Sequence, residues 1–290
     1  MELRVLNYFL TVAREKTISR AAEVLHLTQP TLSKQLKELE EILGVKLFVR
    51  GNRSITLTEE GIYLAKRGKE ILALVELTTS NLLVTDSISG QIAIGAGETS
   101  AFEFVGKHLH EIRTNYPEIN FQIYSGNADD VLEKIDHGIL DFGLVIDPVD
   151  KQKYQYLRLP LVDKWGLLVN NSHNLASNQS IEPNEIKQIP LMISSQSLVD
   201  NQLSEWLGGD LDQLNIIGSY NLLYNASLLV KENIASAVCI DGIVNTTATN
   251  LTFIPLRPPI NASINIVWKR NATFSSAAKT FLRLIQKDLE

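Results

Sequence analysis

The feature that most limits what this chain can fold into is a pair of short helical segments, residues 17–25 and 28–41, separated by a tight turn. Thr28 can cap the second segment, and Pro30 stands in its first turn, where a missing N–H costs little. Such a pair predicts a helix-turn-helix, whose second helix enters the major groove of DNA. One face of that helix is apolar at helical spacing: Leu32, Leu36, Leu39 and Leu43.

The flanking residues complete a small predicted domain. An amphipathic helix opens the chain, and Ser19 is the expected cap of the helix over 17–25. Gly44 ends the helix that begins after Thr28. Short strands at 46–49 and 54–57 then predict a two-stranded wing with its turn at Gly51-Asn52.

Charge supports a polyanionic partner for this part of the chain. Net charge is −6 over 290 residues, yet residues 1–58 carry nine Lys or Arg against six acids. Gln can pair with adenine, Lys with guanine or phosphate, and Thr can offer its methyl group to thymine. The alternative is a solvated amphipathic helix with ordinary surface charge. The expected DNA-binding residues are Gln29, Pro30, Thr31, Ser33 and Lys34 on the helix and Arg50 and Arg53 on the wing.

Residues 58–83 predict one long helix. Thr58 is a suitable cap, and apolar or small residues then alternate in steps of four and three, a heptad pattern that favours pairing with a second copy. The alternative is a core helix of one globular domain. The expected dimerisation residues are Leu64, Ile71, Val75 and Leu82.

From residue 84 onwards strand-like and helical segments alternate, after a linker expected at 86–90. This alternation predicts an α/β body with a largely parallel sheet, and its length suits two small lobes. Expected helices are one ending at 116, then 128–137, 198–207, 222–231 and 275–288. Expected strands are 91–96, 119–124, 141–146, 165–169, 191–194, 216–219, 237–240, 253–256 and 263–268.

Several functional classes lack their signatures. The sequence has no Gly-x-Ser-x-Gly elbow, no phosphate-binding Gly-x-x-x-x-Gly-Lys and no His-Glu-x-x-His, so we expect neither an enzyme nor a metal site. The one cysteine, Cys239, rules out an intrachain disulfide framework. No run of about 18 apolar residues and no signal-peptide core occurs, which predicts a cytoplasmic protein without membrane association. We expect no cofactor.

The N-terminal part at 1–57, called the head below, and parts of the α/β body resemble a known family. Residues 17–33, TISRAAEVLHLTQPTLS, are similar to the signature of LysR-type transcriptional regulators. The similarity continues at 34–40, 43–44, 47–50 and 57–61. Further along, Tyr-Pro-Glu-Ile at 116–119, Gly-Ile-Leu-Asp-Phe-Gly-Leu at 138–144 and Ile-Val-Trp at 266–268 resemble the effector domain of that family.

The resemblance implies an α/β fold class with three parts. These are a winged helix-turn-helix DNA-binding domain at 1–57, a linker and dimerisation helix with a hinge at 58–89, and an effector-binding domain at 90–290. The last part would resemble type 2 periplasmic binding proteins, with lobe one at about 90–162 and 266–290 and lobe two at about 163–265.

An effector would bind between the lobes. Candidate residues follow the predicted strands, and two of these groups precede helices, whose N-termini favour an anion such as a small carboxylate. Glu98 would disfavour an anion if its side chain points into the site. Helix capping is the alternative role for the Ser and Thr residues. The expected effector-binding residues are Glu98, Thr99, Ser100, Ser125, Gly126, Asn127, Asp147, Ser194, Ser195 and Gln196.

The function implied is a transcriptional regulator that binds a double-stranded DNA operator as a homodimer or homotetramer and responds to a small-molecule effector. RNA polymerase is the further implied partner. Two other classes remain open from the residues alone. A solute-binding transport protein would share the body but needs no basic head. A non-specific architectural DNA-binding protein would not need the acidic body.

Overall fold

The computed structural model describes residues 1–51, 54–82, 88–147, 149–195, 201–209 and 213–289, without the side chains of Arg50, Ser80, Asn81 and Asn201. The chain divides into two compact units, residues 1–82 and 83–290. The predicted wing turn at Asn52, part of the predicted linker at 86–90 and the start of the helix predicted over 198–207 lie outside the described residues.

The first unit is a helix-turn-helix followed by a two-stranded wing and a long helix. Its core contains Leu6 and Phe9 from the first helix and Leu32, Leu36 and Leu39 from the third, all buried. The elements are α1 (Leu3–Glu15), α2 (Ile18–Val24), α3 (Gln29–Leu43), β1 (Phe48–Arg50), β2 (Ile55–Leu57) and α4 (Glu59–Leu82). β1 and β2 pair antiparallel.

The ends of α3 and α4 follow the sequence, whereas the start of α2 does not. Thr28 caps α3, Gly44 ends it with φ of 70°, and the Thr58 hydroxyl accepts the Gly61 N–H at 2.9 Å. The expectation that Ser19 caps α2 is wrong, because Thr17 accepts the Arg20 N–H at 3.3 Å. A capping side chain reaches an N–H two or three residues ahead, and Ser19 already lies inside the helix.

The second unit contains two lobes built on one connected sheet. Lobe one consists of β3 (Gly90–Ala96), α5 (Phe102–Asn115), β4 (Ile119–Ser125), α6 (Ala128–Asp136), β5 (Phe142–Ile146) and α10 (Ser276–Leu289). Lobe two consists of α7 (Pro183–Ile186), β7 (Leu191–Ser194), α8 (Asn201–Trp206), β8 (Ile216–Tyr220), α9 (Leu223–Lys231), β9 (Ser236–Ile240) and β10 (Leu251–Pro255). The strands β6 (Tyr154–Asn170) and β11 (Asn261–Lys269) connect the lobes, and a short 3-10 helix spans Asn174–Ser177.

The sheet is mixed, so the expectation of a largely parallel sheet is wrong. Its order among the described residues is β4-β3-β5-β11-β6-β9-β7-β8, with β10 on β6. Pairing is parallel within each lobe, β3 with β4 and β5 and β7 with β8 and β9. Pairing is antiparallel wherever β6 or β11 takes part. The two strands that carry the chain between the lobes therefore introduce the antiparallel pairs.

The length of β6 was also underestimated. The predicted strand covered only 165–169, whereas β6 spans 17 residues. Its first part is irregularly buried and contains Arg158, Asp163 and Lys164 among apolar residues, so it lacks the regular alternation of an ordinary half-buried strand. It forms because β11 pairs with it from Asn261 to Lys269.

Each lobe has its own apolar core. Phe142, Trp268 and Phe281 lie in the core of lobe one, where the Phe142 ring stacks on Phe274 with centroids 4.9 Å apart. Leu167 and Val238 lie in the core of lobe two. In the described part of the chain, no helix combines the length and the apolar character needed to cross a membrane.

Candidate functional site

The outer face of α3 carries the residues expected to contact DNA. Leu32 and Leu36 are buried on its inner face. On the outer face of its first two turns, Gln29, Pro30, Thr31 and Lys34 are exposed and Ser33 is half-buried. The backbone of Arg50 lies in β1, whereas the side chain of Arg50 and all of Arg53 lie outside the described residues.

The charge along α3 changes sign. The Lys34 Nζ lies 3.8 Å from Glu38 Oε1, and the Lys37 Nζ lies 3.5 Å from Glu41 Oε1. The first two turns carry no acid, whereas the third and fourth turns carry three, Glu38, Glu40 and Glu41. A polyanion is therefore favoured at the N-terminal end of α3, where the helix dipole acts in the same direction.

Glu40 attaches the wing to α3, a role that the sequence did not suggest. Its Oε1 accepts the Leu47 N–H at 2.8 Å, and its Oε2 lies 2.9 Å from Lys46 Nζ. Burial alone would raise the pKa of Glu40, but the hydrogen bonds from Lys46, Leu47 and Phe48 outweigh burial and hold the pKa below its ordinary value. The ionised carboxylate thus fixes the base of the wing relative to α3.

The expected dimerisation residues do not share one environment. Leu64 packs against the core of the first unit. Close by, a Cβ added at Gly68 would meet Leu6 Cδ1 at 2.8 Å, so this stretch of α4 contacts α1. Further along, Ile71, Val75 and Leu82 are 37%, 36% and 71% exposed. The second half of α4 therefore presents apolar side chains to solvent.

A cavity of about 730 Å³ lies between the two lobes of the second unit. Its size is that of a small-molecule site. Of the expected effector-binding residues, those that line it are Glu98, Thr99, Gly126, Asn127, Asp147, Ser194 and Ser195. Ser100 and Ser125 are not among the described lining residues, and Gln196 lies outside the described part of the chain.

Hydroxyl groups at the start of α5 bind a carboxylate on β6. Thr99 Oγ1 donates to Asp163 Oδ2 at 2.5 Å, and Ser100 Oγ donates to Asp163 Oδ1 at 3.3 Å. Asp163 is buried. Burial, helped by the negative charge of Asp241, raises the pKa of Asp163, although the two hydroxyl donors act in the opposite direction. Ser100 therefore acts behind the cavity, and Asp163 was missed because it lies in the irregular half of β6.

Two further polar contacts fix carboxylates at the cavity wall. Glu98 Oε2 accepts the backbone N–H of Leu223, the first residue of α9, and so joins lobe one to lobe two. Asp147 Oδ1 accepts from Asn265 Nδ2 at 2.9 Å. Asn127 caps α6 by accepting the Asp130 N–H at 2.8 Å, a role that the sequence analysis considered only for the Ser and Thr residues.

Lobe two supplies most of the lining residues that sequence reasoning missed. Most of them come from the ends of strands and from the loop before α9, where their only signal was a position after an apolar run, whereas Trp165 lies within β6. Cys239 among them is buried, and burial raises the pKa of its thiol. The missed lining residues of lobe two include Trp165, Tyr220, Asn221, Leu222, Cys239, Ile240 and Ile243.

Comparison with known proteins assigns both units. Residues 3–62 match the model for bacterial regulatory helix-turn-helix proteins of the lysR family, and residues 85–290 match the LysR substrate binding domain. A transport protein that shared only the two-lobed body would not match over residues 3–62. These are families of transcriptional regulators and not of enzymes.

Individual relatives cover between two thirds and nearly all of the chain. The uncharacterized HTH-type transcriptional regulator YwbI of Bacillus subtilis (strain 168) is 28% identical over 287 residues, 97% of this chain and 95% of the relative. BsdA, another HTH-type transcriptional regulator of that organism, is 31% identical over 199 residues, 67% of each chain. The crystal structure of full-length CbnR complexed with its target DNA has a TM-score of 0.77 at 17% identity and covers 99% of both chains. The chain therefore belongs to the LysR family of DNA-binding transcriptional regulators.

Proposed function

We propose that the exposed N-terminal face of α3 reads an operator in the major groove. The observation that carries this proposal is that α3 has two different faces: Leu32 and Leu36 are buried on the inner face, and the polar side chains on the outer face are exposed. Phosphate contacts by Lys34 and the wing would position the head, and Gln29 and Thr31 would contact base edges. The proposed set is Gln29, Pro30, Thr31, Ser33, Lys34, Arg50 and Arg53.

The cavity between the lobes is the proposed effector site. Contacts across the cleft, such as that from Leu223 to Glu98, depend on the relative orientation of the two lobes. A ligand that binds one orientation more tightly than another shifts the equilibrium between the two orientations. Coupling of about 1–3 kcal/mol would change operator affinity roughly 5–150-fold. The proposed set retains Glu98, Thr99, Gly126, Asn127, Asp147, Ser194, Ser195 and Gln196, with Ser100 and Ser125 in supporting positions.

A dimer is the proposed form on DNA. The exposed apolar residues Ile71, Val75 and Leu82 on α4 would pack against the same helix of a second copy, and Leu64 would continue this seam beside the head. Two heads then contact an inverted repeat. Pairing of dimers into a tetramer, contact with RNA polymerase and a cytoplasmic location belong to the same proposal.

Selection of bound DNA from a random duplex pool tests operator recognition by the full-length protein. We expect enrichment of two half-sites in inverted orientation, separated by about one helical turn, roughly 10 bp, or a multiple of it. A Gln29→Ala variant should enrich a pool with weaker preference at one position of each half-site. A pool that stays random after repeated rounds would contradict sequence-specific binding.

A further inference from the structure

The wall of the cavity between the lobes carries negative side chains. Glu98, Asp129 and Asp147 line it, and none of the described lining residues is Lys, Arg or His. Residues 196–200, which follow the lining residue Ser195, contain no basic residue either. An anion placed in this cavity would lose its hydration and meet carboxylates instead of cations, which is unfavourable.

Carboxylate side chains of the protein already lie at the N-termini of two helices near the cavity, α6 and α9. Glu98 accepts the Leu223 N–H at the start of α9, where no side chain of α9 caps the helix. At the start of α6, Asp129 and Asp130 lie in the first turn. The positive ends of both helix dipoles are thus met by carboxylates of the protein itself. At the starts of α6 and α9 the helix dipole therefore gives no reason to expect a carboxylate ligand.

Cations near the wall do not neutralise it. The Arg158 Nη2 lies 3.9 Å from Asp147 Oδ2, but the Arg158 side chain is 63% exposed and does not line the cavity. Exposed ion pairs of this kind contribute little. Behind the wall, Asp163 adds a further acidic group, bonded to the hydroxyls of Thr99 and Ser100.

We propose that the effector carries a protonated amine on an apolar body. The ammonium has three donors, and a carboxylate with two oxygens can accept about four hydrogen bonds. Glu98 and Asp147 therefore each retain acceptor capacity beyond the one hydrogen bond that each accepts from the described part of the chain. The rest of the wall is largely apolar, with side chains such as Leu132, Ile146, Trp165, Leu222 and Ile243. This inference rests on the proposed function, since it defines the ligand class of that same cavity.

Matched amine and carboxylate pairs test the charge of the ligand. Full-length protein is titrated by calorimetry with phenethylamine and 3-phenylpropionate, benzylamine and benzoate, butylamine and butyrate, and putrescine and succinate. We expect at least one amine to bind, and its carboxylate partner to bind at least tenfold more weakly. Asp147→Asn should weaken amine binding roughly tenfold or more, because a charge-assisted hydrogen bond is lost. Asp130→Asn is the matched control, since Asp130 does not line the cavity.

The outcomes separate this inference from the proposed function. Binding of carboxylates but not amines, or binding of no amine at millimolar concentration, overturns the proposal. An equal effect of Asp147→Asn and Asp130→Asn also overturns it, because binding would then not depend on the cavity wall. A footprint of the protein on the selected DNA, with and without the amine, tests separately whether the ligand changes DNA binding. A bound amine that leaves the footprint unchanged would support the ligand class and contradict the switch.

Discussion

The carboxylate of Glu98, which follows β3 in lobe one, accepts the backbone N–H of Leu223 at the first turn of α9 in lobe two. The first N–H groups of a helix have no partner within the helix, so this contact satisfies one of them. One residue therefore caps a helix, joins two lobes and lines the cavity between them.

Replacing Glu98 with Ala should lower stability. Loss of a helix cap costs about 1 kcal/mol, so we expect a lower free energy of unfolding by about that amount in denaturant titration. Amide exchange at the start of α9 should also become faster. Glu111→Ala, an exposed change on α5, is the control. Unchanged exchange at Leu223 would show that the contact does not persist in solution.

Thr99→Val should affect the stability and the ligand response together. The Thr99 hydroxyl donates to Asp163 and also accepts the Ala101 N–H at 3.0 Å, so its loss leaves a buried carboxylate short of a donor. Such a loss costs about 1–3 kcal/mol. Thr99→Ser keeps the hydroxyl and should restore the melting temperature and the response. A Thr99→Val protein as stable as wild type would remove the hydroxyl from this role.

Asp141 should make stability fall as pH rises. Burial raises its pKa to about 6, although its bond from the Ala93 N–H acts in the opposite direction. The folded state then binds the proton more tightly than the unfolded state, whose Asp has a pKa of about 3.9. Its contribution to the free energy of unfolding is therefore largest below about pH 4 and is lost as pH rises to about 6 and above.

Asp141→Asn tests this sign. The variant keeps an oxygen for the Ala93 N–H and removes the charge, so its free energy of unfolding should exceed that of wild type at pH 7 by about 2 kcal/mol. Urea titrations between pH 4 and 7 would measure the difference. Glu111→Gln serves as the exposed control. Parallel pH curves for wild type and Asp141→Asn would show that Asp141 does not titrate in this range.

Lys34→Ala should weaken operator binding mainly through phosphate. We expect a several-fold loss of affinity and a salt dependence reduced by about one unit in the slope of log K against log salt. Arg53→Ala on the wing should reduce the slope similarly. Lys279→Ala removes an exposed charge on α10 and should leave binding unchanged. Footprints of Lys34→Ala and Arg53→Ala identical to wild type would contradict the assignment of the head.

Ile71→Glu should dissociate the proposed dimer. It places a charge in an apolar stretch of α4 that would be desolvated on pairing. Light scattering at micromolar concentration should then give the monomer mass, whereas Lys69→Glu, an exposed change two residues earlier, should leave the dimer intact. An unchanged mass for Ile71→Glu would exclude this part of α4 from the interface.

The sequence alone determined the head in detail, because its signals are local. Thr28, Pro30 and Gly44 act within one or two turns of α3, and the leucine spacing defines the buried face. The family resemblance predicted the two-lobed fold, and seven of the ten effector-binding residues expected from it line the cavity, although most of the described lining residues were not predicted. The cap of α2 was misplaced by two residues, because Ser19 and Thr17 both have capping side chains and only geometry selects between them.

The tertiary structure decided the features that depend on distant residues. β6 forms along its irregularly buried first half because β11 pairs with it, about 100 residues later in the chain. Leu64 and Gly68 fit a heptad seam in sequence, yet both contact the head. The charge of the cavity follows from carboxylates at 98, 129 and 147, which come from the loop after β3, the first turn of α6 and the loop after β5. No local sequence pattern encodes such contacts between distant residues, because they form only when the strands and helices pack together.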